Sequence, residues 1–157
     1  MRALLPIAGL TVLLAACQPP SPKGVDGQTL SNAVAAAVGG ENSCVLLVEQ
    51  GSGKKTFQYG APSACGRALP SCDPAGGVMN ATDLAQLAAQ GADRASSCDS
   101  APDGARTVAW ASGLVEASPG STQKLAYAAV MEGPSEQSLP GREMKARLAT
   151  AFRRAGL

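Results

Sequence analysis

The stretch Thr107-Val-Ala-Trp-Ala-Ser-Gly-Leu-Val-Glu116 decides the fold, because its larger side chains alternate with small ones. In an extended chain, Val108, Trp110 and Leu114 share one face, and the alanines and glycine between them share the other. Pro119-Gly-Ser121 then supplies turn residues, and the extended pattern resumes from Lys124 to Glu132. The two runs predict a long, well-packed β-hairpin.

The segments on either side of this hairpin predict further strands and helices. Two apolar or β-branched runs flank Gly51-Ser-Gly53 and predict a strand, a turn and a second strand. An alanine-rich run that ends at Gly39-Gly40 predicts a short helix, and Asn80 with Asp83 is expected to cap another. The predicted strands are 44–49 and 55–59, the helices are 29–38, 81–90 and 142–155, and the loops are 60–78 and 91–105.

The last helix is predicted to be amphipathic. One face of this helix carries the apolar residues Met144, Leu148, Ala151, Phe152 and Ala155. The basic residues around that face are expected to keep their charges in water while their aliphatic stems cover the boundary between helix and sheet. The order of elements predicts an α+β domain, a small antiparallel sheet with the terminal helices packed on it.

Composition excludes several classes of function. The chain has 157 residues, a formal net charge of +1, 3% aromatic residues and no histidine. Neither nucleic-acid binding nor a histidine-dependent nucleophile or zinc site is expected, and we expect no cofactor and no metal. Asp93, Asp99 and Asp103 lack a calcium-ligand spacing, and Gly51-Ser-Gly-Lys54 lacks the spacing of a phosphate loop.

The first residues predict a secretory signal. Arg2 precedes an apolar run shorter than the roughly 20 residues of a transmembrane helix, and Leu14-Ala-Ala-Cys17 follows. This string resembles the bacterial lipobox, which implies that Cys17 is lipidated and anchors the protein in a membrane. Because Gln18 rather than aspartate follows the cysteine, the resemblance favours the outer membrane, facing the periplasm. The alternative is an ordinary secreted protein.

We therefore expect a lipoprotein signal peptide at 1–16, the lipidated cysteine and a flexible linker at 17–27, and one domain at 28–157. The residues after Cys17 are rich in proline and glycine, which is typical of an extended linker.

Four further cysteines, Cys44, Cys65, Cys72 and Cys98, predict two disulfides in an oxidising compartment. Three pairings are possible. We prefer Cys65 with Cys72, which closes a small loop, and Cys44 with Cys98, which pins a strand to a distant loop. A thiolate metal site is the alternative, but no CxxC pair supports it.

The domain resembles a truncated and degenerate class D β-lactamase or penicillin-binding transpeptidase. Ser43–Glu49 with its glycine turn and Cys65–Cys72 resemble the opening of that family. Val108–Val115, Ala126–Gly133 and the last helix resemble its closing hairpin and helix. The resemblance implies a serine nucleophile at a helix N-terminus, with a lysine base one turn later.

The residues at the matching positions depart from that chemistry. Asp73 stands where the family has serine, Gly76 stands where it has lysine, and 101–106 lacks a KTG-type element. Ser121 and Lys124 do match the SxxK spacing, but only 33 residues (157 − 124) follow Lys124, and the same residues suit a turn.

We therefore expect a non-catalytic envelope lipoprotein, an interaction or accessory module near the peptidoglycan. Its partners would be the membrane, through the lipid anchor, and peptidoglycan or an envelope protein, for instance in a secretion or pilus assembly. The alternative is a serine acyl-transfer enzyme that uses Ser121 and Lys124.

Overall fold

A computed structural model describes residues 20–119 and 121–157. The predicted signal peptide and Cys17 lie outside this range. The chain forms an α+β domain, as predicted. Its elements are α1 Gly27–Val38, β1 Ser43–Glu49, β2 Lys55–Tyr59, α2 Pro62–Cys65, β3 Leu69–Pro70, β4 Val78–Met79, α3 Ala81–Ala89, β5 Arg94–Asp99, β6 Arg106–Leu114, β7 Leu125–Pro134 and α4 Gly141–Arg154.

The main sheet has five antiparallel strands in the order β2-β1-β7-β6-β5. The predicted hairpin is at its centre, where β6 pairs with β7 and Trp110 lies opposite Val130. The short strands β3 and β4 form a separate pair. Since β1 joins the sheet beside β7, the first and last strands are neighbours in the sheet.

Helices cover both faces of the sheet. Helices α1 and α4 bury Leu30, Val34, Met144, Leu148 and Phe152 against one face, which confirms the predicted cover by the terminal helices. Helix α3 packs on the other face with a second cluster around Trp110. Alternate residues of β6 therefore pack into two different apolar clusters, one on each face of the sheet.

The predicted N-cap of α3 is confirmed. The backbone amides of Thr82 and Asp83 donate to the side chain of Asn80, and the Asn80 amide donates to the Asp83 carboxylate. This reciprocal capping box satisfies donors that the first turn of a helix leaves unpaired.

The prediction of a loop from Gly91 to about Ala105 is wrong, because Arg94–Asp99 forms strand β5. This strand is at the edge of the sheet and most of its residues are half-buried or exposed. An edge strand needs little apolar surface, so the alternating pattern that marks an inner strand is absent from its sequence.

The preferred disulfide pairing is also wrong, because the bonds join Cys44 to Cys65 and Cys72 to Cys98. Strands β1 and β5 are three positions apart in the sheet, which separates Cys44 from Cys98 by about 14 Å. A disulfide requires Cα atoms within about 7 Å. The two bonds instead tie the 60–78 segment to β1 and to β5.

The folded domain begins earlier than the predicted boundary at residue 28. Pro22 is buried, the Ser21 hydroxyl donates to the Val25 carbonyl oxygen at 2.9 Å, and the Asp26 carboxylate accepts the Thr29 amide at 2.7 Å. Residues 21–26 therefore belong to the packed structure.

The sheet has two ends with different neighbours. At one end, named the Lys124 end, the β1–β2 turn at 50–54 meets the 115–124 connection, and the Gln50 amide donates to the Lys124 carbonyl oxygen at 2.9 Å. At the other, named the Glu132 end, the 39–42 loop meets the last residues of β7, and the Glu132 amide donates to the Asn42 carbonyl oxygen.

Candidate functional site

Ser121 and Lys124 are exposed residues of the connection between β6 and β7. No helix occurs in the described residues of this connection, 115–119 and 121–124. The Ser121 amide donates to the Ser118 carbonyl oxygen at 3.0 Å, and the Ser121 hydroxyl oxygen accepts the Gln123 amide at 3.3 Å. The serine hydroxyl is therefore part of a local turn.

The position at which the family resemblance places a nucleophile holds an ion pair. The Asp73 carboxylate accepts a hydrogen bond from Arg94 Nη2 at 2.6 Å, and this contact holds the pKa of Asp73 below its usual range. Gly76, at the position of the family's lysine, has a φ of +74° and forms part of a turn.

The aspartates of the predicted solvated loop do not form one cluster. Asp93 precedes β5 and pairs with Lys145, whereas Asp99 ends the same strand about 20 Å away. In residues 20–119 and 121–157, no three or more histidine, cysteine or acidic side chains are grouped in a way that could hold a metal ion.

The most heavily buried charge among the described residues lies at the Glu132 end. The Glu132 side chain is 2% exposed and projects from an otherwise apolar strand, β7. Its carboxylate accepts hydrogen bonds from Arg106 Nε at 2.5 Å, Arg106 Nη2 at 2.6 Å, Arg67 Nη1 at 3.2 Å and the Ser100 hydroxyl at 3.0 Å. We call Glu132, Arg106, Arg67 and Ser100 the Glu132 cluster.

The topology explains why these four residues meet. Arg106 is the first residue of β6, and β6 pairs with β7 just beside Glu132. Arg67 follows α2, which the Cys44–Cys65 disulfide holds against β1, and Ser100 follows β5. The cluster therefore joins four separate parts of the chain.

The hydrogen bonds of the cluster keep Glu132 ionised. The Arg106 guanidinium, in a bidentate contact, lowers the pKa of Glu132 more than burial raises it, and Ser100 and Arg67 lower it further. Four donors fill the roughly four acceptor positions of a carboxylate. All of the acceptor positions of Glu132 are thus filled by hydrogen bonds from within the protein, and the carboxylate is poorly suited to proton transfer.

A cleft of about 430 Å³ opens beside the cluster. Its wall includes the 39–42 loop, Ser43, Arg106 and the 137–138 segment. Ser43 is 1% exposed, and its hydroxyl has no hydrogen-bond partner among the described residues. A Cβ on Gly40 would lie 3.2 Å from this hydroxyl, so the glycine leaves the space beside it open.

The exposed side of the Glu132 cluster has the chemistry of a small anion site, whereas the cleft beside it is lined by Arg106 and Glu41 and not by Arg67. Two guanidinium groups face one carboxylate, which leaves one positive charge in excess in the cluster. The arginine side chains are 48% and 39% exposed, so they retain donors that a ligand can reach. A carboxylate or phosphate could accept hydrogen bonds from them.

The second buried ionisable group is Tyr127, on the opposite face of the sheet. Burial raises the pKa of its phenol, and the nearby charge of Asp93 raises it further. Its ring packs edge-on against Phe152 at a centroid distance of 5.2 Å. At neutral pH the phenol is protonated and forms part of the core.

Sequence reasoning missed the Glu132 cluster. The signal was one glutamate in the otherwise apolar run Leu125–Met131 and its continuation, since a carboxylate in a buried strand requires positive partners. The partners themselves could not be assigned, because Arg67 is 65 residues away in the sequence.

None of the helices in the described part of the chain combines the length and apolarity that a membrane span requires. In the comparisons with known proteins, no family model, no curated protein and no solved structure matches the chain.

Proposed function

We propose that the protein is a lipid-anchored, non-catalytic binding module of the bacterial cell envelope. Cys17 would carry the lipid, in the outer membrane and facing the periplasm, and the domain would bind a ligand at the Glu132 end. The observation that carries the binding role is the Glu132 cluster, in which two partly exposed guanidinium groups outnumber one buried carboxylate.

The disulfides support an address outside the cytoplasm. Disulfides form and persist in oxidising compartments, and here both join the 60–78 segment to the sheet. They close loops of 21 and 26 residues by sequence separation, each of which stabilises the fold by about 3.5 kcal/mol in the chain-entropy treatment. A cytoplasmic chain would lose that contribution.

The ligand we propose is a carboxylate of peptidoglycan. The stem peptides of that polymer end in carboxylates, and a guanidinium matches a carboxylate in both charge and geometry. Arg67 donates only one of its nitrogens to Glu132 and is 48% exposed, so it is the better candidate for the ligand contact. Arg106 uses both of its contacts to position Glu132.

The address is tested by intact mass spectrometry of the protein extracted from envelopes. Cleavage before Cys17 with added acyl mass is expected, together with loss of both from Cys17→Ser. A lipid anchor of several chains holds firmly, at about 0.8 kcal/mol per buried methylene, so the wild-type protein should also remain in the membrane fraction. An unmodified mass at Cys17 would refute the anchor.

Binding is tested by cosedimentation with purified peptidoglycan. Arg67→Gln is expected to weaken binding by at least about tenfold, because a charge-assisted hydrogen bond contributes about 1.5 to 3 kcal/mol. Arg142→Gln, which removes an exposed arginine in the first turn of α4, is the control for net charge. Equal binding by both variants, or none by the wild type, would contradict the proposal.

The acyl-transfer alternative has a separate test. The mature protein is incubated with a penicillin, alongside Ser121→Ala, and intact masses are measured without reduction. We expect no adduct and a mass lowered by two disulfides. A stable penicilloyl adduct that Ser121→Ala abolishes would make Ser121 a nucleophile and overturn the non-catalytic assignment.

A further inference from the structure

The chain between Cys17 and the folded domain is short. Because packing begins at Ser21, three residues lie between the cysteine and the domain, and the four steps from Cys17 to Ser21 span at most about 14 Å. Strand β7, with 10 residues, extends over about 34 Å. A tether at Cys17 therefore could not allow the domain to stand on the end that is remote from Ser21.

Ser21 enters the domain at the Lys124 end. The Lys23 amide donates to Gln123 Oε1 at 3.1 Å, and the Ser118 hydroxyl donates to the Gly156 carbonyl oxygen at 3.1 Å. The first described residues, the 118–123 segment and the C-terminus thus share one surface. This is the surface that a lipid on Cys17 would hold closest to the bilayer.

The Lys124 end carries an excess of exposed lysines, which the exposed α1 cap Asp26 offsets only in part. Lys23, Lys54 and Lys124 are exposed at the Lys124 end. Glu116 and Asp93, on the same side, are paired with Arg153 and Lys145. At the Glu132 end the exposed loops carry Glu41, Asp103 and Glu136, and the partly exposed Arg67 and Arg106 of the Glu132 cluster lie beside them.

We propose that the Lys124 end is a membrane-docking surface and that its partner is the anionic headgroups of the bilayer that holds the anchor. This inference rests on the lipidation of Cys17 proposed above. In this orientation the 121–124 segment faces the lipid headgroups, and the cleft at the Glu132 end faces the periplasm. Each lysine near an anionic surface contributes about 1 kcal/mol of attraction, which corresponds to about a fivefold change in an equilibrium.

The test is lysine footprinting of the mature lipoprotein on vesicles. A water-soluble amine-reactive ester is applied, and the modified lysines are quantified by mass spectrometry. Arg142→Lys, which conserves charge and lies in the first turn of α4, provides a reference amine away from the surface. The vesicles contain phosphatidylethanolamine with phosphatidylglycerol, or phosphatidylcholine alone, and unlipidated Cys17→Ser serves as the free domain.

On the anionic vesicles, Lys23, Lys54 and Lys124 should react about fivefold more slowly than in the free domain, relative to the reference amine. About 1 M salt, where the Debye length is about 3 Å, should reduce this protection. Equal relative rates on vesicles and in solution would overturn the docking surface. If the three lysines were equally protected on phosphatidylcholine vesicles, the proposed contact with anionic headgroups would be overturned. A mass without acyl groups would instead reject the lipidation, and it is read from the same sample before labelling.

Discussion

Gly141 is where α4 passes closest to the sheet, and Gly141→Ala tests that packing. A Cβ at this position would lie 2.5 Å from the Ser96 carbonyl oxygen, 2.6 Å from the Trp110 carbonyl oxygen and 2.7 Å from the Ser96 nitrogen. All three atoms belong to backbone that is fixed by the pairing of β5 with β6. Overpacking costs about 1 to 3 kcal/mol, and three backbone contacts place this site near 3 kcal/mol.

Helix propensity acts in the opposite direction by at most about 1 kcal/mol, the preference for alanine over glycine in a helix interior, because Gly141 is the first residue of α4. The expected net loss is therefore about 2 kcal/mol in the free energy of unfolding, or a Tm lower by about 6 °C. Urea unfolding without reductant, followed by the fluorescence of Trp110, the single tryptophan, measures it.

Gly133→Ala is the control, because a Cβ there would meet no atom closer than the Ser138 hydroxyl at 3.6 Å. Its stability should change by no more than about 0.5 kcal/mol. If Gly141→Ala were as stable as the wild type or more so, α4 would not approach β5 and β6 as described.

Glu132→Gln should lower stability by about 2 kcal/mol at pH 7, because the carboxylate accepts charge-assisted hydrogen bonds in a buried position. The pKa of Glu132 is lowered in the folded state, so its contribution is present above the unfolded pKa and is lost as pH falls through the folded pKa. Urea midpoints of the two proteins should therefore converge below about pH 4; a constant difference would contradict the ionised assignment. The double variant Cys72→Ala/Cys98→Ala should lose about 3 kcal/mol in free energy of unfolding in the same assay. Non-reducing peptide mapping of the wild type should find Cys72 linked to Cys98. A peptide that links Cys65 to Cys72 would refute the pairing. Asn80→Ala should cost about 1 kcal/mol through the lost cap of α3, and Asn32→Ala, on the exposed face of α1, should cost less.

The sequence allowed the inner strands and the helix cap to be predicted because local chemistry determines them. Asn80 and Asp83 are three residues apart, and their reciprocal bonds need no information from elsewhere in the chain. The central strands carry alternating or continuous apolar residues because both faces of the sheet are covered. The fold class followed from these elements.

The disulfide pairing depended on strand order, and strand order is not local. Cys44 and Cys98 were assigned to one bond on their positions in the sequence, but β7 and β6 lie between their strands. The Glu132 cluster could not be predicted for the same reason, because its members come from four separate parts of the chain. A pattern along one strand shows that Glu132 needs partners, and only the assembled sheet shows which ones.

The Ser121–Lys124 spacing shows the limit of a motif taken without its secondary structure. Residues three apart are neighbours on a helix, where they share one face about 5 to 6 Å apart. In an extended or irregular segment the same spacing does not bring the side chains together. The described residues of the 115–124 connection contain no helix, and Ser121 closes a turn with Ser118. The serine–lysine pair therefore lacks the helical scaffold that would place an amine beside the hydroxyl.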